Sequence, residues 1–195
     1  MFSEAAREQP AHTVTVSIRD AQHSGADRAW IRERYPEYVE DLSRTSTNAR
    51  RSPAGLFPPT GEFGESRTQL PAAWFADGNS HPLIILQDER PVGFALVSRP
   101  SRARFAHSPR EQVDYKMAEF FIVREGRRRG VGRDAARLIF NRFAGRWQIT
   151  EFQQNQAAVA FWRSIVSEYT GGRYREAVLY GEVHQFFTSR HAGAR

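Results

Sequence analysis

Ala118-Glu119-Phe120-Phe121-Ile122-Val123 runs into Arg124-Glu125-Gly126-Arg127-Arg128-Arg129 and then into Gly130-Val131-Gly132-Arg133-Asp134-Ala135, and this stretch decides how the chain is read. The first six residues end a strand expected over Tyr115 to Val123. From Val131 to Ala144, Val131, Ala135, Leu138, Ile139 and Phe143 fall on one helical face, with Gly145 placed to stop the helix. Between strand and helix lies a short arginine-rich loop with two glycines one residue apart. That arrangement favours phosphate. The first turn of a helix carries N–H groups with no intrahelical partner and the positive end of the dipole, and glycine lets an anion approach the backbone. Arg124, Arg127, Arg128, Arg129 and Arg133 add formal charge around the same point.

Two kinds of ligand compete for such a loop. Gly130 to Ala135 also satisfies the dinucleotide pattern G-x-G-x-x-G/A, and Glu151 stands about 20 residues on, where a ribose-binding acid would be sought. Topology weighs against that reading. A dinucleotide-binding turn leads almost directly from strand to first glycine, whereas Arg124 to Arg129 intervene here. The chain before Tyr115 offers a hairpin instead of repeated βαβ units, and too little follows Glu151 to complete a doubly wound sheet.

Working outward, Val14 to Ile18 alternates apolar and polar residues as a first strand. Asp27 is the expected N-cap of an amphipathic helix presenting Trp30, Ile31, Tyr35, Tyr38, Val39 and Leu42, which Pro36 should kink or split. Ser43 to Gly64 is a long irregular segment, followed by a short helix at Leu70 to Phe75. Pro82 to Gln87, the turn Asp88-Glu89-Arg90-Pro91, and Val92 to Ser98 form an antiparallel hairpin. A polar connection from Arg99 to Val113 leads back to the central strand. After the glycine loop and its helix come a strand at Trp147 to Phe152, a helix at Gln156 to Glu168, and one long strand or two between Ala177 and Phe187. The expected order is β-α-β-β-β-α-β-α-β.

The chain has 195 residues, enough for one α/β or α+β domain. Residues 14–190 are taken as that domain, with tails at 1–13 and 191–195. No apolar run approaches the roughly 18 residues of a membrane span, and the polar start lacks a secretory signal, so a cytoplasmic location without membrane contact is expected. There is no cysteine, which excludes disulfides, thiolate metal sites and an acyl-cysteine intermediate. The six histidines show no zinc spacing, and no metal is expected. A net charge of +6, carried almost wholly by arginine because Lys116 is the only lysine, suits a polyanionic cofactor or nucleic acid. No aromatic pattern of an RNA-recognition module accompanies the arginines, which makes nucleic acid the weaker partner.

Arg127, Gly130 and Gly132 match the acetyl-CoA signature Q/R-x-x-G-x-G/A of the GNAT N-acetyltransferase superfamily, and the chain resembles that family from about Val14 to Phe187. Ala118 to Val123 looks like the family's fourth strand, and Asn155-Gln156-Ala157-Ala158-Val159-Ala160-Phe161-Trp162 resembles the opening of its last helix. The resemblance implies a mixed, twisted sheet of about six or seven strands, splayed between the fourth and fifth, with about four flanking helices. It implies that acetyl-CoA lies in that gap as co-substrate. Backbone groups of Phe121, Ile122 and Val123 would pair with its pantetheine arm, and Arg127, with the amides of Arg128, Arg129, Gly130, Val131, Gly132 and Arg133, would hold the pyrophosphate. Asn155 and Trp162 would complete the cofactor side. The implied reaction is acetyl transfer to a primary amine of a small molecule or protein by direct attack. Dimers are frequent in the family.

Such a transfer needs an amine without its extra proton and a proton for the departing thiolate. Glu119, on the same strand face as Phe121 by alternation, is the candidate base, and a structural or substrate-pairing role is the other reading. Many relatives carry a tyrosine as acid where this chain has Trp162. An indole cannot supply that proton, which leaves Tyr169, Tyr174 or solvent. Tyr35, Tyr38, Phe57, Phe63 and Trp74 are candidates for the acceptor side or the core. A non-catalytic acyl-CoA-binding domain of the same fold is the alternative function.

Overall fold

The computed structural model describes residues 14–45, 72–76, 78–100 and 112–190. Its strands are β1 (Val16–Asp20), β2 (Ser80–Gln87), β3 (Arg90–Ser98), β4 (Tyr115–Ile122), β5 (Gly145–Phe152), β6 (Arg175–Leu179) and β7 (Glu182–Ser189), and its helices are α1 (Gly25–Thr45), α2 (Val131–Arg142) and α3 (Gln156–Thr170). All seven strands form one sheet in the order β1-β2-β3-β4-β5-β7-β6. Every pairing is antiparallel except β4 with β5. That parallel pair arises because α2 carries the chain back over the sheet before β5 begins.

Two apolar layers cover the sheet. On one face α2 and α3 pack Ala135, Ile139, Phe140, Trp162 and Ile165 against Met117, Trp147, Ile149 and Phe187. On the other, α1 sets Ile31, Tyr35 and Tyr38 over Ile84, Phe94, Leu96 and Phe121. Ile31, Tyr35 and Tyr38 recur at helical spacing, which is why one stripe of α1 is buried.

Several expectations from the sequence shift. Pro36 neither splits nor ends α1, which runs unbroken through it for 21 residues. Pro36 lies on the exposed side, so the carbonyl it leaves without a partner faces water instead of the core. Asp27 is not the N-cap. Ser24 Oγ accepts from the Asp27 N–H at 3.1 Å, while the Asp27 carboxylate takes both Nε and a terminal nitrogen of Arg19 at 2.9 and 2.6 Å. That pairing with Arg19, against the cost of burial, holds the Asp27 carboxyl below the usual carboxylate range. β1 lies two residues later than expected, because its pairing with β2 runs from Val16 to Asp20. The short helix expected near Leu70 to Phe75 is a 3-10 helix over Ala72–Phe75. The last strand segment is two strands joined at Tyr180 and Gly181, both with positive φ, 53° and 82°. The described residues contain three α-helices and no helix long and apolar enough to cross a membrane. Phe57, Phe63 and most of the Ser43 to Gly64 segment lie outside the described residues, as does most of the Arg99 to Val113 connection.

Candidate active site

β4 and β5 pair only at Tyr115, Lys116 and Met117 with Trp147, Gln148 and Ile149. Beyond Met117 and Ile149 the ladder stops and the strands part, which leaves the rest of β4 with one open edge. Which residues present their main chain to that edge follows from the pairing on the other side. The Val123 N–H donates to Val92 O at 2.9 Å, so the Ile122 carbonyl, in the same peptide, points the opposite way, into the gap. Alternation sends Phe120 there too and turns Phe121 toward β3. Of the three residues expected to meet a pantetheine arm, only Ile122 faces the gap. Phe120, unnoticed in the sequence, joins it, and period-two counting from a known register would have found it.

Register also explains where Glu119 points. On β3, Val97 faces Met117 while Leu96 faces Glu119, so Ala118 is an extra residue bulged out of β4. Met117 packs with the α2 and α3 layer. The bulge resets the alternation, and Phe121 packs with the α1 layer. Glu119 therefore shares the α1 face with Phe121 because a bulge has re-aimed it.

Glu119 is 4% exposed there, and Tyr38 of α1 donates its hydroxyl to Glu119 Oε2. Glu119 Oε1 is buried without a protein partner. Burial pushes the Glu119 carboxyl up to about 8, against the opposing effect of the Tyr38 hydrogen bond, and the nearby Glu151 raises it further. The Tyr38 hydroxyl is pushed well above its usual range by burial and by Glu119. Tyr35 and Trp74, both buried, pack edge-on at 5.5 Å, and Tyr35 lies 5.9 Å from Tyr38, so these residues wall the Glu119 pocket on the α1 side.

Beside the gap, residues Arg124–Gly126 make a 3-10 turn, and Arg128 adopts a positive φ of 62°. Gly130 caps α2 at φ 82°, a left-handed conformation that a side chain would strain, and no side chain caps the helix there. Arg128, Arg129 and Gly130 are exposed. The first-turn amides of Val131, Gly132 and Arg133 are thus free of a capping side chain at a positively surrounded, open terminus, which fits a pyrophosphate.

Arg127 is used differently. Its Nε donates to the Ile122 carbonyl at 2.7 Å, a terminal nitrogen reaches Asp41 of α1, and the guanidinium lies 5.4 Å over the Phe121 ring. It ties the loop to the strand and to α1 instead of reaching toward the phosphate position. Arg127→Ala is expected to raise the acetyl-CoA dissociation constant about tenfold, the scale of one charge-assisted contact of about 1.4 kcal/mol. Calorimetry checks this, and an unchanged constant would show that the loop holds its shape without the tie.

The remaining candidates separate. Asn155 caps α3, accepting from the Ala158 N–H at 3.2 Å, which places it at the end of β5 and orients the helix start. Trp162 is 3% exposed and wedged against Phe120 at 5.0 Å and Phe161 at 4.9 Å. It is a core residue. Tyr169 does not reach the gap. α2 and α3 run side by side with Gly132 near Phe161, while Tyr169 donates to Asn141 Oδ1 at 2.9 Å. Asn141 stands nine residues after Gly132 on α2, about 13 Å along the axis. The Tyr169 ring packs on Phe140 at 5.2 Å. Tyr174, beyond the end of α3, packs against the same apolar layer. The hydroxyl brought to Glu119 is that of Tyr38. Among the described residues no group of histidines and carboxylates is arranged to hold a metal ion.

Much of the arginine charge is locally compensated: Arg133 and Arg137 pair with Glu168, Arg146 with Asp114, Arg163 with Glu176 and Arg142 with Asp20.

Solved structures with this fold include the GNAT domain of S. lividans PAT, 16% identical over 93% of this chain and 99% of that one, with a TM-score of 0.52. An aminoglycoside acetyltransferase in complex with coenzyme A is 13% identical over 89% and 95% of the two chains, with a TM-score of 0.55. An acetyltransferase from Thermus thermophilus is 12% identical over 88% and 95%, with a TM-score of 0.51. Comparison with curated protein sequences returned no match. The Acetyltransferase (GNAT) family model matches residues 41–165, well over half of the sequence and including β4, the glycine loop, β5 and the start of α3. With that match laid over this sheet and its parted β4 and β5, the chain belongs to the GNAT acetyltransferase family.

Proposed function

We propose that the chain is an acetyl-CoA-dependent N-acetyltransferase of the cytoplasm that transfers an acetyl group to a primary amine of a small molecule or protein by direct attack in a ternary complex. The observation that carries this reading is the buried Glu119 carboxyl, held by Tyr38 at the point where β4 leaves β5, beside an uncapped glycine-led helix terminus. Acetyl-CoA supplies the activated acyl group. The amides of Arg128 to Arg133 bind its pyrophosphate, and the main chain of Phe120 with the N–H of Ile122 receives its arm as an added strand, while the Ile122 carbonyl stays with Arg127. Glu119 takes the proton from the attacking amine nitrogen, and Tyr38 keeps the carboxylate oriented while apolar residues of α1 and β3 exclude water. With no cysteine in the chain, transfer passes through no cysteinyl thioester.

The test is release of free CoA from acetyl-CoA across polyamines, aminoglycosides, amino acids and peptides. Turnover with any of them supports the proposal. Acetyl-CoA binding without turnover on the panel supports a non-catalytic acyl-CoA-binding domain, which the replacement of a tyrosine by the buried Trp162 would favour.

The rate should depend on pH in a particular direction. Glu119 must be ionised to accept a proton, and burial has raised it to about 8, with the coupled Glu151 carboxyl raised to about 7. Because the two titrate as a pair, kcat should rise with pH through an apparent value between about 7 and 8 instead of near 4.5, the ordinary carboxyl value. A kcat that is flat from pH 6 upward would remove Glu119 as the base.

A further inference from the structure

Gln148 lies on β5 in the short β4–β5 ladder, and nothing in the proposed reaction yet uses it. It pairs with Lys116, next to the Met117 to Ile149 pair. Met117 and Ile149 pack under α2 and α3, so Lys116 and Gln148 turn to the α1 face. The bulge at Ala118 makes Glu119 the next residue of β4 on that same face. Gln148 and Glu119 are therefore diagonal neighbours across the two strands at the point where these part. Such neighbours stand about 7–8 Å apart at the main chain, within reach of long side chains.

Both side chains are held by one polar atom and leave the other without a donor. Gln148 is 8% exposed, and its Nε2 lies 3.0 Å from His184 Nδ1. His184 Nε2 in turn lies 3.4 Å from Glu182 Oε2. Burial raises the Glu182 carboxyl, and Lys116, on the same face as Gln148, opposes that rise. A carboxylate oxygen only accepts, so His184 Nε2 carries the ring proton, and in the neutral ring Nδ1 accepts. Gln148 must then offer its NH2 to His184, whose Nδ1 Thr150 Oγ1 also reaches at 3.3 Å. That orientation leaves Gln148 Oε1 buried with no protein partner. Glu119 repeats the pattern, with Oε2 taken by Tyr38 and Oε1 buried with no protein partner. Two buried oxygens that only accept thus share one face beside the gap. Each is costly to leave unbonded, and both call for donors from a molecule bound there.

We propose that Gln148, its amide oriented by His184 and Glu182, is the second anchor of the acceptor's ammonium group: Gln148 Oε1 and Glu119 Oε1 each accept one of its N–H bonds. This rests on the acetyltransferase reading above. A hydroxyl offers one donor and cannot serve both oxygens, and a quaternary ammonium offers none. A primary ammonium offers three. Glu119 takes one proton, which leaves the nitrogen with a lone pair and two N–H bonds, one of them still held by Gln148. The neutral amine therefore stays in place to attack the thioester carbonyl carbon. The C–N bond forms as the C–S bond breaks, the nitrogen sheds a second proton, the departing sulfur gains one, and Glu119 returns its own to solvent. His184 and Glu182 touch no substrate and act as positioning residues for the Gln148 amide.

The probe is methylammonium, compared with tetramethylammonium, which carries the same charge and no N–H. Binding is read without acetyl-CoA by nuclear magnetic resonance, from the Gln148 side-chain amide and the Glu119 carboxyl carbon. In the wild type methylammonium should shift both signals and tetramethylammonium neither. Gln148→Leu should weaken methylammonium binding, read at Glu119, by about 10- to 100-fold, the scale of one hydrogen bond to a charged group. Gln148→Glu keeps an accepting oxygen and should stay within about threefold of wild type. A packing role predicts the reverse order, since leucine suits a buried site and a second carboxylate does not. His184→Phe, which removes the ring nitrogen that orients the amide, should fall between the two. For any amine that is turned over, KM should follow the same order while acetyl-CoA affinity stays unchanged. Methylammonium that shifts neither group, or binds Gln148→Leu as well as wild type, overturns the assignment of Gln148 and leaves the acetyltransferase reading standing. Methylammonium binding in the expected order without turnover of any amine overturns that reading and leaves the ammonium site standing.

Discussion

Glu119→Gln is expected to lower kcat by about two to four orders of magnitude, the span attributed to a positioned general base, while leaving acetyl-CoA affinity nearly unchanged. Glutamine matches glutamate in shape, and its carbonyl oxygen still accepts from the Tyr38 hydroxyl, so the pocket at the bulge keeps its packing. The cofactor-facing groups of the proposal are main-chain atoms of Phe120 and Ile122 and the first turn of α2, which the substitution does not touch. A rise in the acetyl-CoA dissociation constant comparable to the fall in kcat would mean that Glu119 supports the strand and not the reaction.

The same substitution should stabilise the protein in alkali. The folded-state pKa of Glu119 is raised from 4.5 to about 8. Its burial therefore stabilises the fold fully below about 4.5, and that contribution is lost as pH rises through about 8. Glutamine carries no charge to desolvate. The variant should unfold at a higher temperature than wild type at pH 9, with the difference shrinking toward pH 5. A catalytic carboxyl kept at a cost in stability predicts this opposition of effects, and a purely structural one does not.

The glycine loop proposed to hold the cofactor was legible in the sequence as a local unit. A strand, an arginine-rich turn, Gly130 and Gly132, and a helix lie next to one another along the chain, and the dipole argument needs no tertiary information. The surroundings of Glu119, the proposed base, were legible only in part. Alternation counted back from Phe121 placed Glu119 on the right face, but the bulge at Ala118 that makes this so is visible only once β3 sets the register. Tyr38 and Glu119 are 81 residues apart, and nothing in local spacing joins them. Tyr169 and Tyr174 attracted attention because they follow Trp162 in sequence, yet helical geometry carries Tyr169 away from the gap toward Asn141. Glu151 was noticed for its distance from the glycines under a dinucleotide reading.

Gly132→Asp is expected to weaken acetyl-CoA binding at least 100-fold, about 2.7 kcal/mol, without unfolding the protein. Gly132 is the second residue of α2, where a carboxylate normally favours the helix by interacting with its dipole, so stability should be little changed. A Cβ at this position would lie 3.3 Å from the Phe161 ring and 3.7 Å from the Ile122 side chain. Those contacts direct a side chain toward the seam between the α2 terminus, β4 and α3, beside the proposed path of the cofactor. An aspartate there adds bulk and competes with the pyrophosphate for the same positive terminus. Gly132→Ala separates the two effects, since it introduces the 3.3 Å contact with Phe161 but no charge, and should cost only a few-fold in affinity. The excess loss in the aspartate variant is electrostatic and should narrow as ionic strength rises and the Debye length shortens from about 10 Å at 0.1 M to about 3 Å at 1 M. If alanine and aspartate weaken binding equally at low salt, the seam is sensitive to volume alone, and the pyrophosphate does not sit at the α2 terminus.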